Sequence, residues 1–398
     1  MGSTATLAVN AGTLTVNGDI REGFNGTNSS LVRVNGGTLN ATANAIKADT
    51  VELNGGTIQN VLAINTLNGT GGTITRTDGA TATLTLNDGN TAASIQNGNG
   101  TVSLNKITDG TLILSGASTY TGATNLTAGV IRAQNNTALG TTAGNTTIGT
   151  TSSLRLELAG NINIAEPLVF GGRQPGVTAA HLSNVSGNNT FSGSISTASG
   201  GNQYNVNSDA GTLTVTGTFI NTATGGATDI RYLNLSGAGN GAWNGTLANA
   251  ASNAAITAVT KTGSGTWALN GSNTYTGVTA ISAGKLTTNA AAGNNLATNA
   301  GGVTLADTDG ILAIDTTGNS SLQANLRSLL ASGYTSSFTT GQFRVATSVA
   351  GHVIGYGQSR RGHHNARHPP RRCRPRRQRR LQRLPRPSSE LRTKRHAV

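Results

Sequence analysis

Apolar and polar residues alternate along most of this chain, in short runs that Gly, Asn and Asp separate. Leu7 and Val9, then Leu14 and Val16, show the spacing in the first two runs. A period of two places one face of a β-strand in an interior, so each run predicts a short, one-sided strand. Several runs begin with Gly-Thr and an apolar residue, at 12–14, 37–39, 56–58, 72–74, 100–102 and 211–213.

Pairs of Asn or Asp with Gly are frequent between the runs. They occur at 54–55, 78–79, 88–89 and 109–110. These residue types tolerate left-handed backbone angles, so the pairs predict the places where the chain bends. Gly69-Thr-Gly-Gly72 lacks the lysine of a phosphate loop and predicts a turn as well.

A longer phrase occurs twice. Gly-Ala-Ser-Thr-Tyr-Thr-Gly at 116–122 returns as Gly-Ser-Asn-Thr-Tyr-Thr-Gly at 271–277, inside a gap-free match of 110–129 with 265–284. Weaker copies at 187–193 and 239–245 keep two glycines six residues apart, with an aromatic residue four after the first. The chain is therefore predicted to be a repeat protein.

The aromatic residues of these four copies are Tyr120, Phe191, Trp243 and Tyr275. We expect them to recur in register and to pack at a corner of one coil against the next. Gly116 and Gly271 would make room for them by lacking a side chain. The alternative is an exposed aromatic ladder that stacks on sugar rings.

Composition favours stacked coils over a wide globular core. The chain has 55 Gly, only 4% aromatic residues and 11% charged residues. Coils that pair edge to edge need only a thin interior of Val, Ile, Leu and Thr, so the sequence predicts an all-β solenoid. An antiparallel sandwich and a disordered low-complexity chain remain alternatives, because turn spacing alone does not fix strand direction.

The stretches 261–286 and 107–131 resemble the autotransporter-associated β-strand repeat, which occurs in passenger regions of bacterial secreted and surface proteins. The resemblance implies a right-handed parallel β-helix over residues 1–357, exported to the extracellular space, the cell surface or the outer membrane. It implies no reaction, because members of this family serve as stalks, adhesins or carriers of other domains.

We expect three regions, with a β-helical repeat region at 1–318. Residues 319–357 form a capping segment in which Leu322, Leu326, Leu329 and Leu330 have helical spacing before Gly333. This short helix is predicted to shield the end of the solenoid, and the alternative is a helix that binds a partner. Residues 358–398 form a basic tail of low complexity.

The tail carries all of the formal net charge of +13. From Gln358 it has 15 Lys or Arg and one acid, so 28 − 15 leaves 13 bases and 15 − 1 leaves 14 acids in the body. A basic arm for nucleic acid or anionic lipid and a solvated, disordered end are two interpretations.

We favour a third interpretation of the tail, a translation frameshift after Gly357. A forward-shifted frame permits a dockerin-like calcium loop, which the nucleotide sequence would test. The high isoelectric point and Cys373 then say nothing of partners or redox compartment.

Candidate chemistry is sparse. His181 and His352 lie far apart without a Cys partner, so we expect no metal site and interpret each as a surface residue. Asp307, Asp309 and Asp315 predict a solvated corner, with weak calcium binding or carboxylate catalysis as alternatives. No catalytic residue, cofactor site or metal site is assigned, and we expect no enzyme.

These observations predict a non-enzymatic, exported passenger that acts as a stalk or scaffold. An adhesin that binds an extracellular glycan or protein is the alternative, and a β-helical polysaccharide-active enzyme comes third. We expect no specific nucleic-acid partner and no membrane span. No targeting segment or C-terminal barrel strands are evident, so the chain is interpreted as a monomeric fragment of a longer protein.

Overall fold

The computed structural model describes residues 4–21, 29–252, 255–289, 303–305, 310–315, 344–346 and 353–355. These residues form a parallel β-solenoid of about 12 turns. A 3-10 turn at Gly226–Thr228 is the one helical element among them. The all-β parallel solenoid that the sequence predicts is therefore confirmed.

The strands in chain order are β1 (Thr4–Val9), β2 (Thr13–Thr15), β3 (Ser29–Val34), β4 (Thr38–Asn40), β5 (Ala45–Ile46), β6 (Thr50–Leu53), β7 (Thr57–Gln59), β8 (Ala63–Asn68), β9 (Thr73–Arg76), β10 (Ala82–Thr91), β11 (Ser94–Gly98), β12 (Val102–Lys106), β13 (Thr111–Leu114), β14 (Thr124–Leu126), β15 (Val130–Ala133), β16 (Thr146–Ile148), β17 (Arg155–Ala159), β18 (Asn163–Ile164), β19 (Leu168–Gly172), β20 (Leu182–Ser186), β21 (Asn188–Phe191), β22 (Ile195–Gly200), β23 (Gln203–Ser208), β24 (Thr212–Val215), β25 (Phe219–Ile220), β26 (Ile230–Ser236), β27 (Asn240–Trp243), β28 (Ile256–Lys261), β29 (Thr266–Leu269), β30 (Thr279–Ile281), β31 (Gly284–Asn289), β32 (Val303–Leu305), β33 (Gly310–Asp315), β34 (Arg344–Ala346) and β35 (Val353–Gly355).

Each turn contributes to three rows of strands, which we call faces 1, 2 and 3 in the order the chain meets them. Face 1 holds β1, β3, β6, β13, β15, β17, β20, β23, β26, β28, β30 and β32. Face 2 holds β2, β4, β7, β9 and β11, then β18, β21, β24, β27, β29, β31, β33, β34 and β35. Face 3 holds β5, β8, β10, β12, β14, β16, β19, β22 and β25, and the last residues of β8 and β10 also pair with β6 and β13 on face 1.

Two turns cross face 2 as loops instead of strands. Thr119 N donates to Ile95 O at 2.9 Å, and Ser118 N donates to Thr137 O at 3.2 Å. Asn163 N then donates to the side chain of Asn136 at 2.9 Å. These bonds keep the turns in contact where the strand row is interrupted, so face 2 continues from β11 to β18.

Among the described strands, every pair is parallel except β34 with β35, which are antiparallel. Parallel pairing in register stacks inward side chains directly, as in the column Val34, Leu53 and Leu67. Exposure alternates along the strands, as in β12, β13 and β24, which confirms the period of two. The antiparallel sandwich and the disordered chain are both wrong for the described part.

The predicted bends are confirmed at 54–55, 78–79 and 109–110. The Asp88-Gly89 pair differs, because it lies inside β10. There β10 leaves β8 and β12 on face 3 and pairs with β13 on face 1, and Gly89 has a φ of +130°. Only glycine adopts this angle without strain, so the strand changes face without a separate turn.

Gly116 and Gly271 have a different purpose from the expected one. A Cβ atom on Gly116 would overlap the carbonyl oxygen of Ala93, and one on Gly271 would overlap that of Gly245. Both obstacles are backbone atoms of the preceding turn rather than tyrosine rings. The expectation that these glycines make room for an aromatic ring is therefore wrong: they allow two turns to approach each other.

The C-terminal expectations lie largely outside the described residues. The helix at 321–333, His352, Asp307, Asp309 and the whole tail from 358 fall there, so the three predicted regions stay predictions. Of Asp315, the structure describes only the backbone, as the last residue of β33.

A glycine substitution tests the close approach of turns. Gly271→Ala should lower the free energy of unfolding by about 2 kcal/mol, because the new methyl group pushes against the Gly245 carbonyl. Gly18→Ala is the matched control, since a Cβ there meets nothing within 4 Å and the φ of Gly18 is not positive. Unfolding followed by circular dichroism measures both, and equal effects would contradict the packing account.

Candidate functional site: the repeat unit and its buried polar groups

No group of three or more His, Cys, Asp and Glu side chains in the described part of the chain could hold a metal ion. A cavity of about 10 Å³ lies beside Arg76, Leu84 and Val102, which is room for about one water molecule. The repeat itself is the candidate functional feature of the described residues.

The two close copies of the repeat have the same local structure on different faces. The first comprises β12, β13, a loop on face 2, β14 and β15, so it begins on face 3. The second comprises β28, β29, a loop that bonds to Leu247 on face 3, β30 and β31, so it begins on face 1. The repeat is thus a local strand and loop unit, rotated by one face between its copies.

A tyrosine closes the loop of each unit. The hydroxyl groups of Tyr120 and Thr124 are 2.6 Å apart, and those of Tyr275 and Thr279 are also 2.6 Å apart. The two rings are buried, with 0% and 3% exposure. Burial raises the pKa of both phenols, so they stay neutral and bonded to the threonines.

Phe191 and Trp243 are buried too, but they do not correspond to these tyrosines. They lie in β21 and β27, in one column with Val215 and Leu269. Tyr275 follows Leu269 by a loop and lies on the next face. The four aromatic residues therefore do not share one register, so that expectation is wrong. The alternative of an exposed aromatic ladder is also wrong, because all four rings are buried. The expectation that these rings pack against other turns is confirmed.

Each unit also has a buried lysine, which the sequence analysis missed. Lys106 and Lys261 are both 0% exposed. Lys106 Nζ donates to the backbone oxygen of Thr108 and to its Oγ1 at 3.0 Å, and it lies 3.2 Å from Asp88 Oδ1 in the preceding turn. Lys261 Nζ donates to the oxygens of Thr262 at 2.7 Å, Gly263 at 2.8 Å and Ala283 at 3.1 Å.

These ammonium groups tie a bend to an adjacent turn. Ala283 belongs to the turn after Lys261, so one side chain joins carbonyls that would otherwise be buried without donors. Burial lowers the pKa of Lys261 to about 8, which leaves it charged at neutral pH. The sequence contained a signal: each lysine occupies an inward position of the period-two run, such as Val102, Leu104 and Lys106.

His181 is buried, so its interpretation as a surface residue is wrong. Its Nε2 donates to Gly171 O at 2.8 Å, and its Nδ1 accepts from Asn205 N at 3.1 Å. The ring stacks on Phe170 with centroids 4.6 Å apart. Burial, with the nearby Arg173, lowers the pKa of His181 to about 3, so the neutral ring is a part of the core and both of its nitrogens bond to backbone groups.

Glu166 is the most unusual acid in the described residues. It is 3% exposed, its Oε1 accepts from Thr146 Oγ1 at 3.0 Å, and its buried Oε2 has no partner. It forms no ion pair in the described part of the chain. Burial raises its pKa to about 8, because a carboxylate without a counter-ion is costly in an apolar interior.

The model of the passenger-associated-transport-repeat matches residues 104–133 and 259–287. The first match covers the unit that carries Lys106 and Tyr120. The second match covers the unit that carries Lys261 and Tyr275. This chain resembles an autotransporter passenger. The weaker copies at 187–193 and 239–245 lie outside the two matches, in agreement with their different register.

No curated protein and no solved structure matches the chain. The two passenger-associated-transport-repeat units therefore carry the relationship alone. Among the described residues, no helix combines the length and apolar character that crossing a bilayer requires.

The packing role of the repeat tyrosine can be measured. Tyr275→Ala should lower the free energy of unfolding by roughly 3–5 kcal/mol, since it leaves a cavity between turns. Tyr275→Phe should cost about 1 kcal/mol through the lost bond to Thr279. Tyr232→Ala, at a half-exposed tyrosine, should cost less than Tyr275→Ala. An unchanged melting temperature for Tyr275→Ala would contradict burial of this ring.

Glu166 gives a pH-dependent prediction. Its folded pKa of about 8 exceeds the ordinary value of 4.5, so below pH 4.5 the carboxyl is neutral in both states. As pH rises toward 8, the unfolded chain ionises while the folded one keeps its proton, and stability falls by about 1 kcal/mol per pH unit.

Glu166→Gln should remove this loss, so the stability of the variant relative to the parent should increase from pH 5 to pH 8. The opposite contribution of His181, which is lost as pH falls from 6.5 toward 3, is common to both proteins and cancels. Glu52→Gln, at a half-exposed carboxylate paired with Arg33, is the control. A difference that does not change with pH would show that Glu166 is ionised in the interior.

Proposed function

We propose that this chain is part of a non-enzymatic bacterial passenger, exported to the cell surface or extracellular space, where it acts as a stalk or scaffold. The observation that carries the proposal is the continuity of the solenoid through both passenger-associated-transport-repeat units. Strands before, within and after these units pair in one parallel array. A stack of this kind extends by adding turns and does not depend on a pocket.

The buried groups support a structural role for the unit. The polar side-chain atoms of Lys261 and Tyr275 form hydrogen bonds inside the protein. Glu166 and His181 have the perturbed pKa values that often mark catalytic groups, but each is covered by packed residues and neither lies beside the cavity at Arg76. Such groups hold turns together and are closed to a substrate.

The finer features of the fold belong to the same proposal. We propose a right-handed winding, because parallel β crossovers strongly prefer that hand. The segment at 321–333 would form the capping helix, and the tail at 358–398 would be a disordered end of frameshift origin. Circular dichroism of the full chain beside a chain that ends at Gly357 would measure what the tail contributes.

An adhesin is the second candidate, and Tyr232 is the observation that favours it. Of the aromatic side chains that the structure describes, Tyr232 is half-exposed and the others are buried. It lies in register with Gln203, whose Oε1 accepts from Asn234 Nδ2 at 2.8 Å. An aromatic ring beside side-chain amides suits the stacking and hydrogen bonding of a sugar.

Two measurements test the proposal. Antibodies against the body should label intact cells of the producing bacterium, and external protease should remove the label; protection of the protein until cells are lysed would refute surface exposure. Binding on a glycan array that Tyr232→Ala abolishes, with stability unchanged, would favour the adhesin instead. Release of reducing sugar from anionic polysaccharides would refute a non-enzymatic role.

A further inference from the structure

Outward-facing hydroxyl groups form a straight column on the N-terminal part of face 2. The strands β2, β4, β7, β9 and β11 pair in parallel, and their first residues stand in register. These residues are Thr13, Thr38, Thr57, Thr73 and Ser94. The four threonines come from the Gly-Thr runs at 12–14, 37–39, 56–58 and 72–74. The repeated dipeptide therefore becomes one row of hydroxyl groups that crosses successive turns.

This column has a packed base and an open surface. The residue after each hydroxyl points inward, as Leu39 and Ile58 do with 0% exposure. The threonines alternate with these core residues and are half-exposed or, in the case of Thr13, exposed. The hydroxyls of the four threonines form no hydrogen bond within the described residues, whereas Ser94 Oγ donates to Ala117 O. Each threonine hydroxyl is therefore available to water.

A second outward column runs beside the first, two residues further along each strand. It holds Thr15, Asn40, Gln59 and Thr75, which stand in register. Asn40 Oδ1 accepts from Thr42 N at 3.1 Å and from Asn60 Nδ2 at 3.0 Å, so this amide is held against its own bend. Gln59 is the largest side chain of the two columns, which we together call the hydroxyl face.

The hydroxyl face and the bends beside it carry no charge. Residues 10–18, 35–44, 54–62, 69–75 and 91–97 contain no Lys, Arg, Asp or Glu. Face 1 differs, because Arg33 and Glu52 stand in register and form an ion pair there. On the C-terminal part of face 2, the column through Thr212, Asn240 and Lys285 mixes residue types and includes a charge. The hydroxyl face is thus neutral as well as uniform in its first column.

The two columns form a regular grid. Equivalent atoms in neighbouring turns are about 4.8 Å apart, which is the spacing of paired strands, and the columns are about 6.7 Å apart, which is the rise of two residues. Oxygen atoms on the prism faces of hexagonal ice repeat in two directions at distances close to these. A hydroxyl both donates and accepts hydrogen bonds, so it can take the place of a water molecule in such a lattice.

We propose that the hydroxyl face binds the surface of ice crystals. Parallel pairing holds the hydroxyls at fixed distances before any contact, so little freedom is lost when ice binds. A neutral surface also suits this ligand, because a charged side chain would impose its own order on the nearest water molecules. The inference does not rest on the proposed stalk function, since it needs only the outer surface of these turns.

Ice binding can be measured directly on the full chain. It should slow the recrystallisation of ice in a frozen sucrose solution, and fluorescently labelled protein should be carried into a growing ice crystal. Thr57→Lys should lose most of both effects while circular dichroism stays unchanged, because a long charged side chain then stands in the middle of the face. Thr212→Lys, the same change at a half-exposed threonine on the C-terminal part of face 2, is the matched control and should behave like the parent.

Gln59→Thr provides a second test, in the opposite direction. It makes the second column more uniform and removes the side chain that reaches furthest, so both effects on ice should increase. A parent chain that leaves ice growth unchanged would overturn the proposal. So would equal losses in Thr57→Lys and Thr212→Lys, or binding to crystalline cellulose or chitin without binding to ice. If Thr57→Lys did not fold, Gln59→Thr would decide, and an unchanged activity of that variant would overturn the proposal as well.

Discussion

Parallel hydrogen bonding between the backbones of successive turns is the constraint on which this structure depends. It holds neighbouring turns at the spacing of paired strands, just under about 5 Å, on each of the three faces. A side chain that points inward must then fit between the side chains of the turns before and after it. Composition follows from this geometry, because a thin interior is filled by Val, Ile and Leu and has room for few large rings.

The large rings that do occur fit only where neighbouring residues leave room for them. Trp267 stands in register with Gly241, and a Cβ atom on that glycine would overlap the indole ring. Further rings contact one another across turns, from Phe170 through His181, Tyr204 and Phe219 to Trp243. A histidine fits into this row because its two nitrogens are satisfied by backbone groups and its neutral form behaves as an aromatic ring.

How much the sequence predicts depends on how local each feature is. The period of two and the Asn-Gly bends are local, and they predicted strands, turns and a thin solenoid core. Burial of His181 and Glu166 depends on residues contributed by other turns, such as Asn205 and Thr146, so no local pattern revealed it. Lys106 and Lys261 lie between these cases, because their inward position in an alternating run could have been noticed.

The two close copies of the repeat begin on different faces, so sequence spacing alone does not give the face on which a residue lies. For this reason the weaker copies around Phe191 and Trp243 were wrongly expected to share the register of the tyrosines. A unit made of a strand, a bend held by lysine, a second strand and a loop closed by tyrosine needs contacts only with adjacent turns. It can therefore begin on face 3, as at β12, or on face 1, as at β28. The number of residues between two units does not fix the face, because loops such as 173–181 lengthen individual turns. Glycine spacing around Phe191 and Trp243 arises separately, from bends that precede strands on face 2, so similar spacing in sequence does not establish equivalent positions in a solenoid.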